Sequence, residues 1–181
     1  MFKMIKSVLG LIIVASLLAT ILFPSGDNAS NNGDIRLGTQ ARRDLIGQAE
    51  TLYDAVRLAI PTVAMEEGIV RLDVNEHLGF IGMDIYADAP ALSVSLTRGS
   101  RIRDVRDLIG NLQYWTGGNI ETIDVHWFMP LINNLGETNY HRVIRLQYTQ
   151  PVLTNVDFTG IIPEDQMLFF ADTYFIHDAL Q

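Results

Sequence analysis

The feature that most constrains this chain is an uncharged apolar run near its N-terminus, residues 7–23, with the sequence SVLGLIIVASLLATILF. A helix of this length extends about 25 Å, and residues 4–6 bring it close to the roughly 30 Å of a bilayer's hydrocarbon core. Lys3 and Lys6 precede the run, and the first acidic residue, Asp27, follows it. Because positive charge is retained on the cytoplasmic side, this polarity predicts a cytoplasmic N-terminus with the rest of the chain across the membrane.

A secretory signal peptide has the same polarity, so the choice depends on whether a cleavage site is present. Such a site needs small residues directly before the cut and two positions earlier. Cleavage after Gly26 would place Pro24 at the earlier position, and cleavage after Ala29 would place Asp27 there. We therefore expect residues 1–24 to be retained as a single-pass transmembrane anchor. A cleaved signal peptide is the first alternative, and a buried helix of a soluble protein is the second.

The segment after the anchor, residues 25–38, is rich in Gly, Asn, Ser and Asp. This composition is typical of a flexible tether, because such residues favour turns and bury little apolar surface. Residues 39–181 follow, with the apolar periodicity of a folded domain. The polarity of the anchor predicts that this domain is periplasmic or extracellular.

The charge of the domain restricts its partners. Both lysines lie before the apolar run. All 21 acidic residues lie after it, together with 11 arginines and no lysine. A surface with this acidic excess repels phosphate polymers, so we expect no nucleic-acid partner. The chain contains no cysteine, which excludes disulfides, thiol catalysis and attachment of lipid to an N-terminal cysteine.

Periodicity predicts an α+β domain in which two or three helices pack on one face of a mainly antiparallel sheet. Apolar residues at three- and four-residue steps indicate helices, and strict alternation indicates strands. The first predicted helix covers residues 39–60 and is ended by Pro61. The second predicted helix is capped by Ser100 and ended by Gly117-Gly118, and a terminal helix or strand begins at Pro163. The predicted strands are residues 70–74, 81–85, 92–96, 120–129, 140–148 and 151–160.

The C-terminal segment, PEDQMLFFADTYFIHDALQ, is unusually aromatic. In a helix Met167, Phe170 and Tyr174 would share one face, whereas Phe169 and Phe175 would lie elsewhere. Such a segment either closes the core or presents a second aromatic face to a partner or to the membrane interface. Small residues four apart in the anchor also allow another helix to approach closely. The candidate interaction residues are therefore Ala15, Ala19, Phe169, Phe170, Tyr174 and Phe175.

Asp124 and His126 are the candidates for chemistry. They are two residues apart on a predicted strand, so their side chains share a face. The pair would form half of a metal site if His77, His141 or Asp157 joined it, or the carboxylate would orient the imidazole as a base. A polar outer sheet face explains the same pair. We therefore assign no catalytic residue, no metal site and no cofactor, and retain Asp124 and His126 as candidate metal ligands.

The expected function is that of a non-catalytic accessory or scaffold subunit of a membrane-embedded complex. This expectation depends on the retained anchor, on the aromatic C-terminus, and on a sequence without phosphate-loop, zinc-protease or serine-hydrolase motifs. The expected partners are the lipid bilayer and other membrane-protein subunits. Two alternatives remain open: a binding module for a small apolar ligand, lined by Trp127, Tyr140 and Tyr148, and a hydrolase that uses Asp124 and His126.

Overall fold

A computed structural model describes residues 32–60, 68–87, 94–132 and 135–181. In these residues five strands form one mixed sheet accompanied by several helices, which confirms the α+β class. The predicted anchor, residues 1–24 with Ala15 and Ala19, lies outside the described residues. Among the helices that are described, none has the length and apolar character needed to cross a membrane.

Helices and strands are interspersed along the chain. Within the described residues the helices are α1 (Asn32–Gly47), α2 (Leu52–Ala59), α3 (Val94–Leu112), α4 (Gln150–Asn155) and α5 (Glu164–Phe170), with short 3-10 helices at Glu76–Leu78 and Asp178–Leu180. The strands are β1 (Gly68–Asn75), β2 (Phe80–Ala87), β3 (Thr122–Ile132), β4 (Thr138–Thr149) and β5 (Thr173–Ile176).

The strands lie in the order β1-β2-β3-β4-β5 across the sheet. The β1–β2, β3–β4 and β4–β5 pairs are antiparallel, as the sequence predicts for most of the sheet. The β2–β3 pair is parallel. Parallel neighbours need a crossover connection, and α3 lies in the segment between these two strands.

One face of the sheet forms the core together with the helices. Along β2, buried and half-exposed residues alternate strictly, as expected for a strand with one covered face. Burial of each large apolar side chain in such a core contributes about 1.5–3 kcal/mol. The buried strand residues include Ile81, Met83, Ile85, Ile123, Val125, Trp127, Ile144, Leu146 and Tyr148. The buried helix residues include Leu52, Val56, Ile102, Val105, Leu108 and Leu112.

The first predicted helix, residues 39–60, is two helices in the structure. α2 begins after Thr51, whose hydroxyl oxygen accepts a hydrogen bond from the backbone N–H of Asp54 at 3.1 Å. This cap satisfies a donor that the helix itself leaves free, so it fixes a helix start inside the predicted segment. α1 begins at Asn32, within the range 25–38 that the composition indicates as a tether.

The predicted strand at residues 92–96 is wrong from Val94 onward, because α3 begins there. The helix is stabilised by residues further along, where Ile102, Val105 and Leu108 are buried at three-residue steps. This packing outweighs the short alternating pattern before it. α3 also ends at Leu112, before the predicted stop at Gly117-Gly118.

The predicted strand at residues 151–160 is wrong as well. The segment begins with α4, in which Pro151 occupies the first turn. Proline is well accommodated there, since the first helical N–H groups have no partner within the helix. The side-chain amide of Asn155 then donates to the carbonyl oxygen of Pro151 at 2.7 Å, across the length of this short helix.

The C-terminal segment is a helix followed by an edge strand. α5 ends at Phe170, and β5 pairs with β4, so Phe170 and Tyr174 do not share a helical face. The turn between α5 and β5 is held by Asp172, whose carboxylate accepts hydrogen bonds from the N–H and hydroxyl of Thr149 at 2.7 and 2.9 Å. Met167 is buried, and Tyr148 donates its phenolic hydrogen to the Met167 carbonyl at 3.0 Å.

Candidate functional site

The second face of the sheet, which we call the outer face, carries the candidate site. On β2 it presents Phe80, Gly82, Asp84 and Tyr86, all of them half-exposed between buried neighbours. The register aligns these positions with side chains of the same face on the neighbouring strands. Two groups of side chains result, a polar row and a band of aromatic and arginine side chains.

The polar row consists of Asp84, His126, Asp124, Arg145 and Gln147, from strands β2, β3 and β4. The Asp84 carboxylate lies 2.9 Å from His126 Nδ1. The Arg145 guanidinium donates to both oxygens of Asp124, from Nε at 3.0 Å and from a terminal nitrogen at 2.8 Å. The same terminal nitrogen lies 3.2 Å from the side-chain oxygen of Gln147. The prediction that Asp124 and His126 share a face is confirmed, and both have partners on neighbouring strands.

The bidentate pair stabilises the charged form of Arg145. The hydrogen bonds from the guanidinium to Asp124 raise the pKa of Arg145; burial opposes this rise, and the charge of the carboxylate adds to it. The Asp124 side chain is only 12% exposed, whereas that of Arg145 is 30% exposed. Arg145 therefore supplies the positive charge that compensates a nearly buried carboxylate.

His126 lies between two carboxylates. Its Nδ1 is in hydrogen-bonding position with Asp84, and its Nε2 lies 3.1 Å from an Asp124 oxygen without the alignment of a hydrogen bond. With the Asp84 carboxylate as the acceptor, Nδ1 is the donor of this bond. If His126 acted as a general base, its Nε2 atom would have to reach the substrate, but this atom faces Asp124. This arrangement favours a cross-strand structural role.

The same geometry is unsuited to a metal ion. Asp84 and Asp124 lie at opposite nitrogens of one imidazole ring, so they do not converge on a common point. The Arg145 guanidinium beside Asp124 would also repel a cation. In the part of the chain that the structure describes, no three His, Asp or Glu side chains are arranged to hold a metal, and His77, His141 and Asp157 do not complete such a group.

The second group, which we call the aromatic band, spans all five strands of the described sheet. The rings of Tyr86 and Phe128 stack with centroids 4.8 Å apart and an interplanar angle of 12°. Tyr140 meets Tyr86 edge-on at 5.7 Å. Arginines flank the rings at both ends of the sheet. The Arg71 guanidinium lies 5.4 Å from the Tyr86 ring centroid, and that of Arg142 lies 5.6 Å from Phe175. The members of the band are Arg71, Tyr86, Phe128, Tyr140, Arg142 and Phe175.

A β-bulge places two members of the band on the outer face. Trp127 pairs with Ile144, but the next residue, Phe128, pairs with Arg142, so Val143 is an extra residue on β4. Strict alternation predicts that Tyr140 and Arg142 share the face of Ile144, and that prediction is wrong. A bulge inserts one residue without a partner, so the residues before it switch to the opposite face.

No comparison identifies a relative. No family model matches the chain, and no curated protein or solved structure resembles it significantly.

The predicted interaction residues at the C-terminus have different environments. Phe169 is 83% exposed, and Tyr174 and Phe175 on the edge strand β5 are also exposed. Phe170 is half-buried and packs against the core, with its ring edge-on to Phe169 at 5.8 Å. Of these residues, Phe175 belongs to the aromatic band. Among the predicted ligand-lining residues, Trp127 and Tyr148 are fully buried in the core, and Tyr140 lies in the band.

Proposed function

We propose that this chain is a non-catalytic accessory subunit of a membrane-embedded complex. In this proposal residues 1–24 anchor it with the N-terminus in the cytoplasm, and the α+β domain is periplasmic or extracellular. The aromatic band is the surface that contacts another membrane-protein subunit. The proposal includes no cofactor, no metal and no nucleic acid.

The aromatic band is the observation that carries the proposal. Tyrosine, phenylalanine and arginine are enriched at protein–protein interfaces, and tyrosine and arginine are frequent hot-spot residues. Tyrosine and arginine combine a large apolar area with a polar group, so they remain soluble when free and bind strongly when covered. The flanking arginines, Arg71 and Arg142, favour a partner surface that carries carboxylates beside apolar side chains.

The polar row supports a binding role over a catalytic one. Asp84 and His126 contact each other, and both oxygens of Asp124 accept from Arg145. Charged side chains that pair across strands hold the sheet in one register, which gives the band a rigid base. A hydrolase would instead require a base directed to an exposed substrate position.

The proposal is tested by exchanging exposed members of the band in the full chain. The variant Tyr140→Ser/Arg142→Glu removes the ring of a residue that is 51% exposed and reverses a neighbouring charge. Native membranes extracted with mild detergent are then analysed by native electrophoresis. We expect the unmodified chain to migrate in a large assembly and the variant to migrate alone.

The chain offers a matched control on α2. There the Arg57 guanidinium lies 6.0 Å from the ring of Tyr53, which is 44% exposed, and neither residue is on the sheet. The variant Tyr53→Ser/Arg57→Glu makes the same chemical change away from the band. It should remain in the assembly. An unmodified chain that migrates as a monomer in several detergents would refute the proposal.

A further inference from the structure

A cleft beside the sheet carries an inference that is independent of the aromatic band. It has a volume of about 300 Å³ and lies between the C-terminal end of α3, the loop that leads into β3, and α4. Its apolar wall includes Leu112, Trp115 and Ile120. Small-molecule sites typically have volumes of about 300–1,000 Å³, so this cleft has room for a compact ligand.

The wall between α3 and α4 is held rigidly by Gln113. Its side-chain amide donates to the carbonyl oxygens of Leu153 at 3.2 Å and Val156 at 2.7 Å. Its side-chain oxygen accepts from the backbone N–H of Phe158 at 3.0 Å. These three bonds fix α4 against α3, so the cleft is formed before any ligand arrives.

Polar side chains at the rim of the cleft have no partners within the described residues. Asn119, Gln150 and Thr154 line the cleft, and none of them makes a side-chain hydrogen bond there. An amide and a hydroxyl can each donate and accept. None of the lining residues is charged. The cleft therefore offers both hydrogen-bond donors and hydrogen-bond acceptors but no charged group.

Trp115 adds an aromatic surface to the cleft. Its Nε1 is inaccessible to solvent and has no hydrogen-bond partner. The chain after it lies directly against the indole, since a Cβ at Gly117 would be 2.7 Å from Trp115 Cζ2. Glycine therefore allows the loop to hold the ring in place at the cleft. Gly117 covers this N–H, since a Cβ there would lie 2.9 Å from Nε1, so Trp115 offers a ligand its aromatic surface and not its donor.

We propose that this cleft binds a neutral saccharide. Vicinal hydroxyls both donate and accept, so they match the free groups of Asn119, Gln150 and Thr154. The C–H face of a sugar ring suits the indole of Trp115 and the aliphatic wall. Phosphorylated or acidic sugars would enter without a compensating cation, which makes them poorer ligands.

The test uses the full chain in a polyoxyethylene detergent, because alkyl glycosides would occupy a sugar site. Glucose, N-acetylglucosamine, maltose and cellobiose are titrated with saturation-transfer NMR and tryptophan fluorescence as readouts. Glucuronic acid tests charge exclusion, and a blocked trialanine peptide tests peptide binding. We expect saturable binding of at least one neutral sugar and weaker binding of both comparison compounds.

Variants connect the binding to the cleft. Asn119→Ala and Thr154→Val each remove one hydrogen-bonding group and should weaken binding about fivefold. Asn139→Ala, at an exposed position on β4, is the matched control and should bind normally. Thr154 is exposed on α4, so its variant carries the test if Asn119→Ala does not fold. The proposal is overturned if no neutral sugar binds saturably up to about 50 mM, if the peptide binds more tightly, or if both variants bind like the unmodified chain.

Discussion

The pair formed by Asp124 and Arg145 gives the sharpest quantitative prediction about the outer face. Its two hydrogen bonds, at 3.0 and 2.8 Å, join a nearly buried carboxylate to an arginine whose side chain is 30% exposed. A hydrogen bond to a charged group contributes about 1.5–3 kcal/mol net, and solvent screening of Arg145 reduces this value. We therefore expect a coupling energy of about 1–2 kcal/mol between the two side chains.

The coupling is measured with Asp124→Asn, Arg145→Met and the double variant. Arg145→Met should lower the free energy of unfolding by about 2–3 kcal/mol, because it leaves the Asp124 charge poorly compensated. The double variant should lose less than the sum of the single losses. Urea unfolding of the full chain in mild detergent, followed by circular dichroism and tryptophan fluorescence, provides the four free energies.

Arg106 and Asp107 provide the matched control, because they form an ion pair in which the Asp107 side chain is 47% exposed. The same cycle, with Asp107→Asn and Arg106→Met, should give a coupling energy below about 0.5 kcal/mol. Equal coupling energies for the two pairs would refute the claim that the polar row holds the outer face together.

Two further predictions concern the core. Gly110→Ala should lower the free energy of unfolding by about 1–3 kcal/mol, because the new Cβ would lie 2.6 Å from the Phe158 carbonyl oxygen. This overpacking exceeds the gain of about 1 kcal/mol in helix propensity. A variant that is more stable in urea unfolding would contradict the packing of α3. Burial raises the pKa of Tyr148 above its usual value of about 10. The folded state therefore keeps this proton at a pH at which the unfolded state loses it, so the free energy of unfolding should fall as the pH rises above about 10. Tyr148→Phe lacks this proton and loses the bond to Met167, so the stability difference between the two proteins should shrink above pH 10 in urea titrations; a constant difference would be evidence against the burial effect.

Alternation predicts the strands of this fold well where one face is covered. In β2 every second residue is buried, and the sequence Ile81, Met83, Ile85 shows this directly. The same rule fails at the start of α3, where the alternating residues 92–96 lead into a longer helical pattern. It fails again at Pro151, since a proline that suits an edge strand also suits the first turn of a helix. Local periodicity cannot distinguish these cases without the packing of distant segments.

The candidate site is predictable only in part for a related reason. The shared face of Asp124 and His126 follows from their spacing on one strand. Their partners, Asp84 and Arg145, lie on β2 and β4, and only the register of the sheet brings them together. The aromatic band also depends on the extra residue Val143, whose local sign is that it stands directly beside Ile144 and so interrupts the alternation. The half-exposed position of Tyr86 between buried neighbours is a second local sign of the band.

The central claim, that the aromatic band contacts another subunit, is tested most directly by photo-cross-linking in native membranes. A photoreactive phenylalanine analogue replaces Tyr140 in the band or, as the control, Tyr53 on α2. After irradiation, mass spectrometry should identify a covalent adduct between position 140 and an integral membrane protein, with no such adduct from position 53. An adduct from position 53 alone, or none from either position, would contradict the account.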